Sequence, residues 1–166
     1  ARLGPYTIGG EIGTGATATV YSGTDATGRS FAVKVRRRGQ ADLDRRFLRE
    51  FESMRLLRVS GVVAVYEAGI EDAHLWFSMD RVHGLPFHEP VLALDSVDSR
   101  VRTTIELGRK LCQVLSSLHE AGFVHRDIKP TNVLVDDRND VHVLDFGIGR
   151  YFTDESTLSA TGEVLG

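Results

Sequence analysis

The sequence has one cysteine, Cys112, so an internal disulfide or a cysteine-built zinc site is excluded. A reducing compartment is the simplest setting for such a chain, and a cytoplasmic location is expected. The six histidines are scattered, without a close pair at ligand spacing, which argues against a metal site built from side-chain nitrogen. No uninterrupted apolar run is long enough to span a membrane. The opening residues, ARLGPYTIGG, lack the long apolar core of a signal peptide. Positive charge is not in excess: 20 Lys and Arg face 23 Asp and Glu, a net charge of −3, so no nucleic-acid partner is expected. Internal repeats and low-complexity blocks are also missing. What remains is 166 residues, 42% hydrophobic and 26% charged, which is the make-up of an ordinary globular chain of one domain or two small lobes.

The first third is β-rich. Residues 6–12, 17–24 and 30–36 have strand-like composition, and glycine-rich turns separate them, as in an antiparallel meander. A helix is expected over 42–58, with Leu43, Phe47, Phe51, Met54 and Leu57 on one face and Arg45, Arg49, Glu52 and Arg55 on the other. Glu50 interrupts the apolar face: it either bends into water at the stripe's edge or points inward at a buried cation. Strands are expected at 62–68 and 74–79. The stretch 81–100, with Gly84, Pro86 and Pro90, reads as a connector with room for a short helix and as a lobe boundary. The clearest helix spans 102–121, with a stripe of Ile105, Leu111, Cys112, Leu115 and Leu118 and a stop at Gly122. Cys112 and His119 are expected to pack in that helix, and Trp76 in the core. A hairpin follows, 133–135 with 141–144, and then Asp145-Phe146-Gly147. The last residues, 148–166, are rich in Ser, Thr and Gly.

Three places carry chemistry. In GEIGTGATATVY, Gly10, Gly13 and Gly15 lie between two strand-like runs. A glycine turn lets backbone N–H groups approach phosphate oxygens, though an ordinary hairpin turn has the same composition. In FAVK, Lys34 sits inside an apolar strand, sharing a face with Ala32, while Phe31, Val33 and Val35 share the other. It is either an exposed edge lysine or one half of a pair with Glu50, which would resolve two inward charges together and leave the ammonium to hold phosphates. The run Arg36-Arg37-Arg38 reads as a solvated strand end or a docking patch. In HRDIKPTN, Asp127 is suited to accept or orient a hydroxyl proton and Lys129 to neutralise a phosphoryl group. Asn132 and Asp145 supply the oxygen ligands that Mg²⁺ prefers. Phosphoryl transfer asks a protein for such parts: positioning, charge neutralisation and a metal.

In this order, G-x-G, A-V-K, a helix Glu, H-R-D-x-K-P-x-N and D-F-G resemble the eukaryotic-like protein kinases of the bacterial Ser/Thr type, from about Tyr6 to the last residue. The resemblance implies an α+β kinase-like fold. Residues 1–82 would form a complete β-rich N-lobe with one regulatory helix, and 83–166 the first part of a helical C-lobe. It also implies roles. Gly13 and Gly15 would cover the ATP phosphates. Lys34 would bind the α- and β-phosphates and pair with Glu50. Asp127 would be the catalytic base, Lys129 would contact the γ-phosphate, and Asn132 and Asp145 would hold Mg²⁺. Met79 is similar to a gatekeeper, with Asp80 and Val82 in the hinge that meets adenine. Ile12, Val20, Ala32 and Leu134 complete the nucleotide site. Arg126 before Asp127 is similar to the class controlled by activation-loop phosphorylation, which makes Thr161 the first phosphosite, then Ser159 and Thr157.

The sequence departs from the family at Ala18, where the third glycine would stand, and at Val59-Ser60-Gly61, in place of His-Pro-Asn. Family members also continue past a TGEVLG-like stretch into further helices, so the resemblance implies a part of a kinase domain, open to self-association through the activation loop or the apolar surface near Leu115. The activity implied is ATP- and Mg²⁺-dependent phosphorylation of Ser or Thr in proteins. The alternatives are a nucleotide-binding or interaction module without turnover and, less in keeping with HRDIKPTN, a small-molecule kinase.

Overall fold

The computed structural model describes residues 1–145; Phe146, Gly147 and the candidate phosphosites Thr157, Ser159 and Thr161 lie outside the described residues. The chain forms β1 (Arg2–Leu3), β2 (Tyr6–Thr14), β3 (Thr19–Thr24), β4 (Ser30–Arg37), α1 (Ala41–Met54), β5 (Val65–Glu71) and β6 (His74–Asp80). These are followed by β7 (Gly84–Pro86), α2 (Glu89–Leu92), α3 (Val97–Glu120), a 3-10 turn at Pro130–Asn132, β8 (Val133–Asp136) and β9 (Val141–Val143).

The first six strands make one antiparallel sheet in the order β1-β2-β3-β4-β6-β5. Strand alternation sorts β4 into two faces. Phe31 and Val33 pack with Tyr6 and Trp76 on one side. Ala32 faces the other, into a core built from Phe47, Met54, Leu57, Phe77 and Met79. α1 lies on that second face: the Phe47 and Phe51 rings sit 5.0 and 5.8 Å from the Phe77 ring. Phe47 and Met54 are buried where the sequence places the stripe of this helix. The helix ends at Met54 rather than at residue 58. The apolar period outlasts it because Leu57 returns to the core through a tight turn, its N–H donating to the Met54 carbonyl at 3.0 Å.

β5 begins later than the apolar run suggests. Val62 bridges Val143, and the Val63 N–H donates to the Val143 carbonyl at 3.1 Å, so the start of the run joins a second sheet. That sheet is β7-β8-β9. β7, inside the expected connector, approaches β8 so closely that a Cβ on Gly84 would stand 2.6 Å from the Val135 carbonyl oxygen. Only glycine leaves room there.

α3 starts five residues before the expected position, at Val97, because the Ser96 hydroxyl accepts from the Ser99 N–H at 3.1 Å and caps it. Its buried residues are Leu107 and Leu118. Ile105 is 65% exposed, and Cys112 and His119 are exposed, so none of these three is a core residue. Trp76 is buried as expected, with Gly4 and Gly69 both against its ring. Among the described residues, no helix is long and apolar enough to cross a membrane.

Candidate active site

β4 carries Lys34 onto the face that α1 covers, and the helix turns Glu50 inward to meet it. The Lys34 ammonium lies 2.7 Å from Glu50 Oε1 and 2.9 Å from Asp145 Oδ1. Both partners of the pair are largely buried, with side-chain exposures of 11% and 14%. Of the two readings of Glu50, the inward one holds. Burial works against the Lys34 ammonium, but Asp145 and Glu50 together outweigh it and hold its pKa above the ordinary value. Glu50 moves up to about 7, chiefly through burial; Lys34 pulls it back down, and the second carboxylate at Asp145 adds to the rise.

The loop that begins at His125 has a different construction. His125 is 1% exposed. Its Nδ1 accepts from the Asp127 N–H at 3.2 Å, which leaves Nε2 to donate to the Leu144 carbonyl at 2.7 Å. The Leu144 N–H in turn donates to the Asn132 carbonyl at 2.8 Å. Both sides of Leu144 are therefore fastened to the 125–132 loop, and Asp145 follows from a fixed point. Burial lowers the His125 pKa more than any other influence, so the ring is held neutral. Two non-glycine residues here adopt left-handed backbone, Arg126 at φ 64° and Asp145 at φ 42°. Such conformations cost about 1–3 kcal/mol each and gather at functional sites.

Asp127 Oδ2 accepts from Lys129 Nζ at 2.8 Å and from Asn132 Nδ2 at 2.9 Å. The Lys129 bond is the main reason that the Asp127 carboxyl sits below its ordinary pKa. Asn132 Nδ2 also donates to the Asp127 carbonyl at 2.9 Å. With its amide nitrogen committed twice, Asn132 keeps Oδ1 without a hydrogen-bond partner among the described residues. Asp145 Oδ2 is in the same position, since Lys34 takes only Oδ1. Two oxygen donors, one amide and one carboxylate, suit a hard divalent cation such as Mg²⁺.

A cleft of about 1110 Å³ reaches Lys34, Lys129, Asn132 and Asp145, whereas Asp127 is not among the residues that line it. Its walls include Ile12, Gly13, Gly15, Val20, Ala32, Lys34, Met79, Asp80, Val82 and Leu134, which are all the residues expected to meet the nucleotide. Lys129, Asn132 and Asp145 line it as well, while Glu50 stands behind Lys34. The Gly15 N–H donates to the Ala18 carbonyl at 2.9 Å and closes the glycine turn at the cleft's edge. Asp80 lines the cleft. Its carboxylate turns to the back of the sheet, where it accepts from the Ala64 N–H at 3.1 Å and from the Tyr66 hydroxyl. Arg29 lies over the Phe31 and Tyr66 rings and donates to the Tyr66 hydroxyl at 2.8 Å.

Sequence reasoning missed His125, Leu144 and Arg36. His125 stood in the quoted motif without a role, and an apolar Leu144 gives no signal that its peptide is a junction. Arg36 is 7% exposed, not a solvated strand end. Arg37 and Arg38 are exposed, as that reading expected.

The family profile described as "Protein kinase domain" matches residues 6–164. The chain is 34% identical, over 97% of its length, to a probable serine/threonine-protein kinase of Corynebacterium efficiens, of which it covers 26%. It is 38% identical, over 98% of its length, to a probable serine/threonine-protein kinase of Streptomyces coelicolor, covering 25% of that protein. The serine/threonine-protein kinase PknL of Mycobacterium tuberculosis is 33% identical over 97% of the chain and covered for 41% of its own length. The chain thus spans well under half of each of these relatives. With a profile match over nearly its whole length, the chain belongs to the protein kinase family.

Proposed function

We propose that this chain carries the nucleotide site and catalytic loop of a cytoplasmic serine/threonine-protein kinase, which transfers the γ-phosphoryl group of Mg-ATP to Ser or Thr hydroxyls of proteins. Residues 1–82 act as the N-lobe and 83–166 as the beginning of the C-lobe. The observation that carries this reading is the Lys34 ammonium, held between Glu50 and Asp145 on the wall of a cleft large enough for a nucleotide.

Ile12, Val20, Ala32 and Leu134 give adenine an apolar slot, and backbone groups of Asp80 and Val82 meet its polar edge beside Met79. Gly13 and Gly15 let the turn lie over the phosphates, and Lys34 meets the α- and β-phosphates as a point charge. Asn132 Oδ1 and Asp145 hold Mg²⁺, which when bound neutralises charge on the phosphate oxygens. Asp127 orients the acceptor hydroxyl and takes its proton. The hydroxyl oxygen bonds to the γ-phosphorus as the bond to the β-phosphate oxygen breaks, and ADP leaves. Lys129 sits beside Asp127 to balance charge on the transferred group.

The test is incubation of the chain with Mg-ATP, read by intact mass against an Asp127→Asn control. A phosphate gain absent from the control is expected. Nucleotide binding without any gain would instead favour a binding module without turnover.

A further inference from the structure

Arg36 follows Lys34 by two positions on β4, so the two side chains leave the same face of the strand. That face meets α1, and each cation finds a carboxylate of that helix. Lys34 reaches Glu50 at 2.7 Å, and Arg36 Nε reaches Asp44 Oδ1 at 3.0 Å. The two carboxylates lie about 9 Å apart along the helix axis, and the two cations start about 7 Å apart along the strand. These rungs have nearly matched spacing. A single rung would let the helix pivot about Glu50; two fix where it lies along the strand.

Arg36 has a second engagement. Its Nη1 donates to the Thr17 carbonyl at 2.7 Å. Thr17 belongs to the glycine turn and lines the cleft with Ala16 and Ala18. Across a planar trans peptide, C=O and N–H point in opposite directions. Drawing the Thr17 carbonyl toward Arg36 therefore turns the Ala18 N–H away from it. Asp44 is held in turn, its Oδ2 accepting from the Gly39 N–H at 3.1 Å. A guanidinium that is 7% exposed is stable only with such partners, and here they come from the glycine turn, which lines the cleft, and from α1, whose Glu50 stands behind Lys34.

We propose that Arg36 is a positioning residue that couples the phosphate turn to α1: one guanidinium holds the Thr17 carbonyl and, through Asp44, the helix that brings Glu50 to Lys34. The inference rests on reading the cleft as a Mg-nucleoside-triphosphate site. Its consequence is selective. The turn and Lys34 serve the phosphates, whereas the adenine slot lies on other residues, so loss of Arg36 weakens a triphosphate and spares a nucleoside.

Calorimetric titration of the full chain with Mg-ATP and with adenosine tests this, using wild type, Arg36→Leu, Arg36→Lys and Asp44→Asn, with melting temperatures alongside. Arg36→Leu is expected to weaken ATP about tenfold, the scale of one lost charge-assisted hydrogen bond, while adenosine changes by less than about twofold. Arg36→Lys, with one compact ammonium for two partners, falls between. Asp44→Asn, which keeps the side chain's shape, shows the same ATP-selective loss and decides the matter if Arg36→Leu does not fold. Equal losses for both ligands, or none, in the folded variants would overturn the coupling and leave the nucleotide site standing. Failure of wild type to bind either ligand would overturn the reading of the cleft itself.

Discussion

His125 shows what one residue does at this site. It is buried and has a partner at each ring nitrogen: the N–H of Asp127 and the carbonyl of Leu144, the residue before Asp145. Asp127 and Asp145 favour its charged form and Lys129 opposes it, but burial outweighs them and sets the pKa below 6.5. Between that depressed value and 6.5 the folded chain binds fewer protons than the unfolded one. Stability therefore rises with pH in this window: the contribution is complete above 6.5 and is lost as the pH falls through the folded value. A protonated ring would also present a donor at Nδ1 to the Asp127 N–H, breaking one of the two contacts. An NMR titration of the His125 Cε1 resonance is expected to give a midpoint below 6.5, with thermal stability falling in the same range. A midpoint at or above 6.5 would show that the ring is not held neutral.

At the scale of elements, α3 separates what the sequence makes legible from what it does not. The expected stripe ran through Ile105 and Cys112 to Leu115 and Leu118. Leu107 stands at the centre of the actual face, packed with Val133, Val135 and Val141, and Leu111 packs against this cluster. Ile105 is about 200° and Cys112 about 140° around the helix from Leu107. A helix with apolar residues on more than one side has an ambiguous phase, and only its neighbours resolve it. Leu107→Ala should cost about 2–5 kcal/mol in urea denaturation, and Ile105→Lys about 0.5 kcal/mol or less. Similar losses from both would place the packing face elsewhere. α1 was readable because its apolar residues lie on one side and its arginines on the other. β7 was not, since three residues with Gly and Pro carry no strand signal until β8 lies beside them. Arg36 was unreadable for a related reason: its partners are the Thr17 carbonyl and Asp44, and a charge run gives no hint of either. The ordered motifs were legible because each needs particular residue types at short spacing. Which backbone groups join them was not.

In the whole molecule, among the described residues, the two sheets are joined by backbone bonds, by an ion pair and by a core that Leu118 and Phe123 share with Val63 and Phe77. Val143 bonds to the Gly61 carbonyl at 2.7 Å and accepts from the Val63 N–H at 3.1 Å, and Lys34 on one sheet meets Asp145 just beyond the other at 2.9 Å. The cleft draws its walls from both, so a ligand that fills it adds further ties between them. Mg-ATP at a hundred times its Kd should stabilise the fold by about 2.7 kcal/mol, a rise in melting temperature of about 5–10 °C. Asn132 Oδ1 and Asp145 Oδ2 accept no hydrogen bond among the described residues, and they come from opposite ends of the Leu144 junction. If they hold the metal, chelation by EDTA removes most of the ATP-dependent rise. Asp145→Asn does the same in the presence of Mg²⁺, because an amide gives up the charge that the cation requires. Differential scanning fluorimetry across these conditions is the check. An ATP shift that survives EDTA undiminished would take the metal away from this pair, while leaving the Lys34–Glu50 side of the cleft to hold the nucleotide.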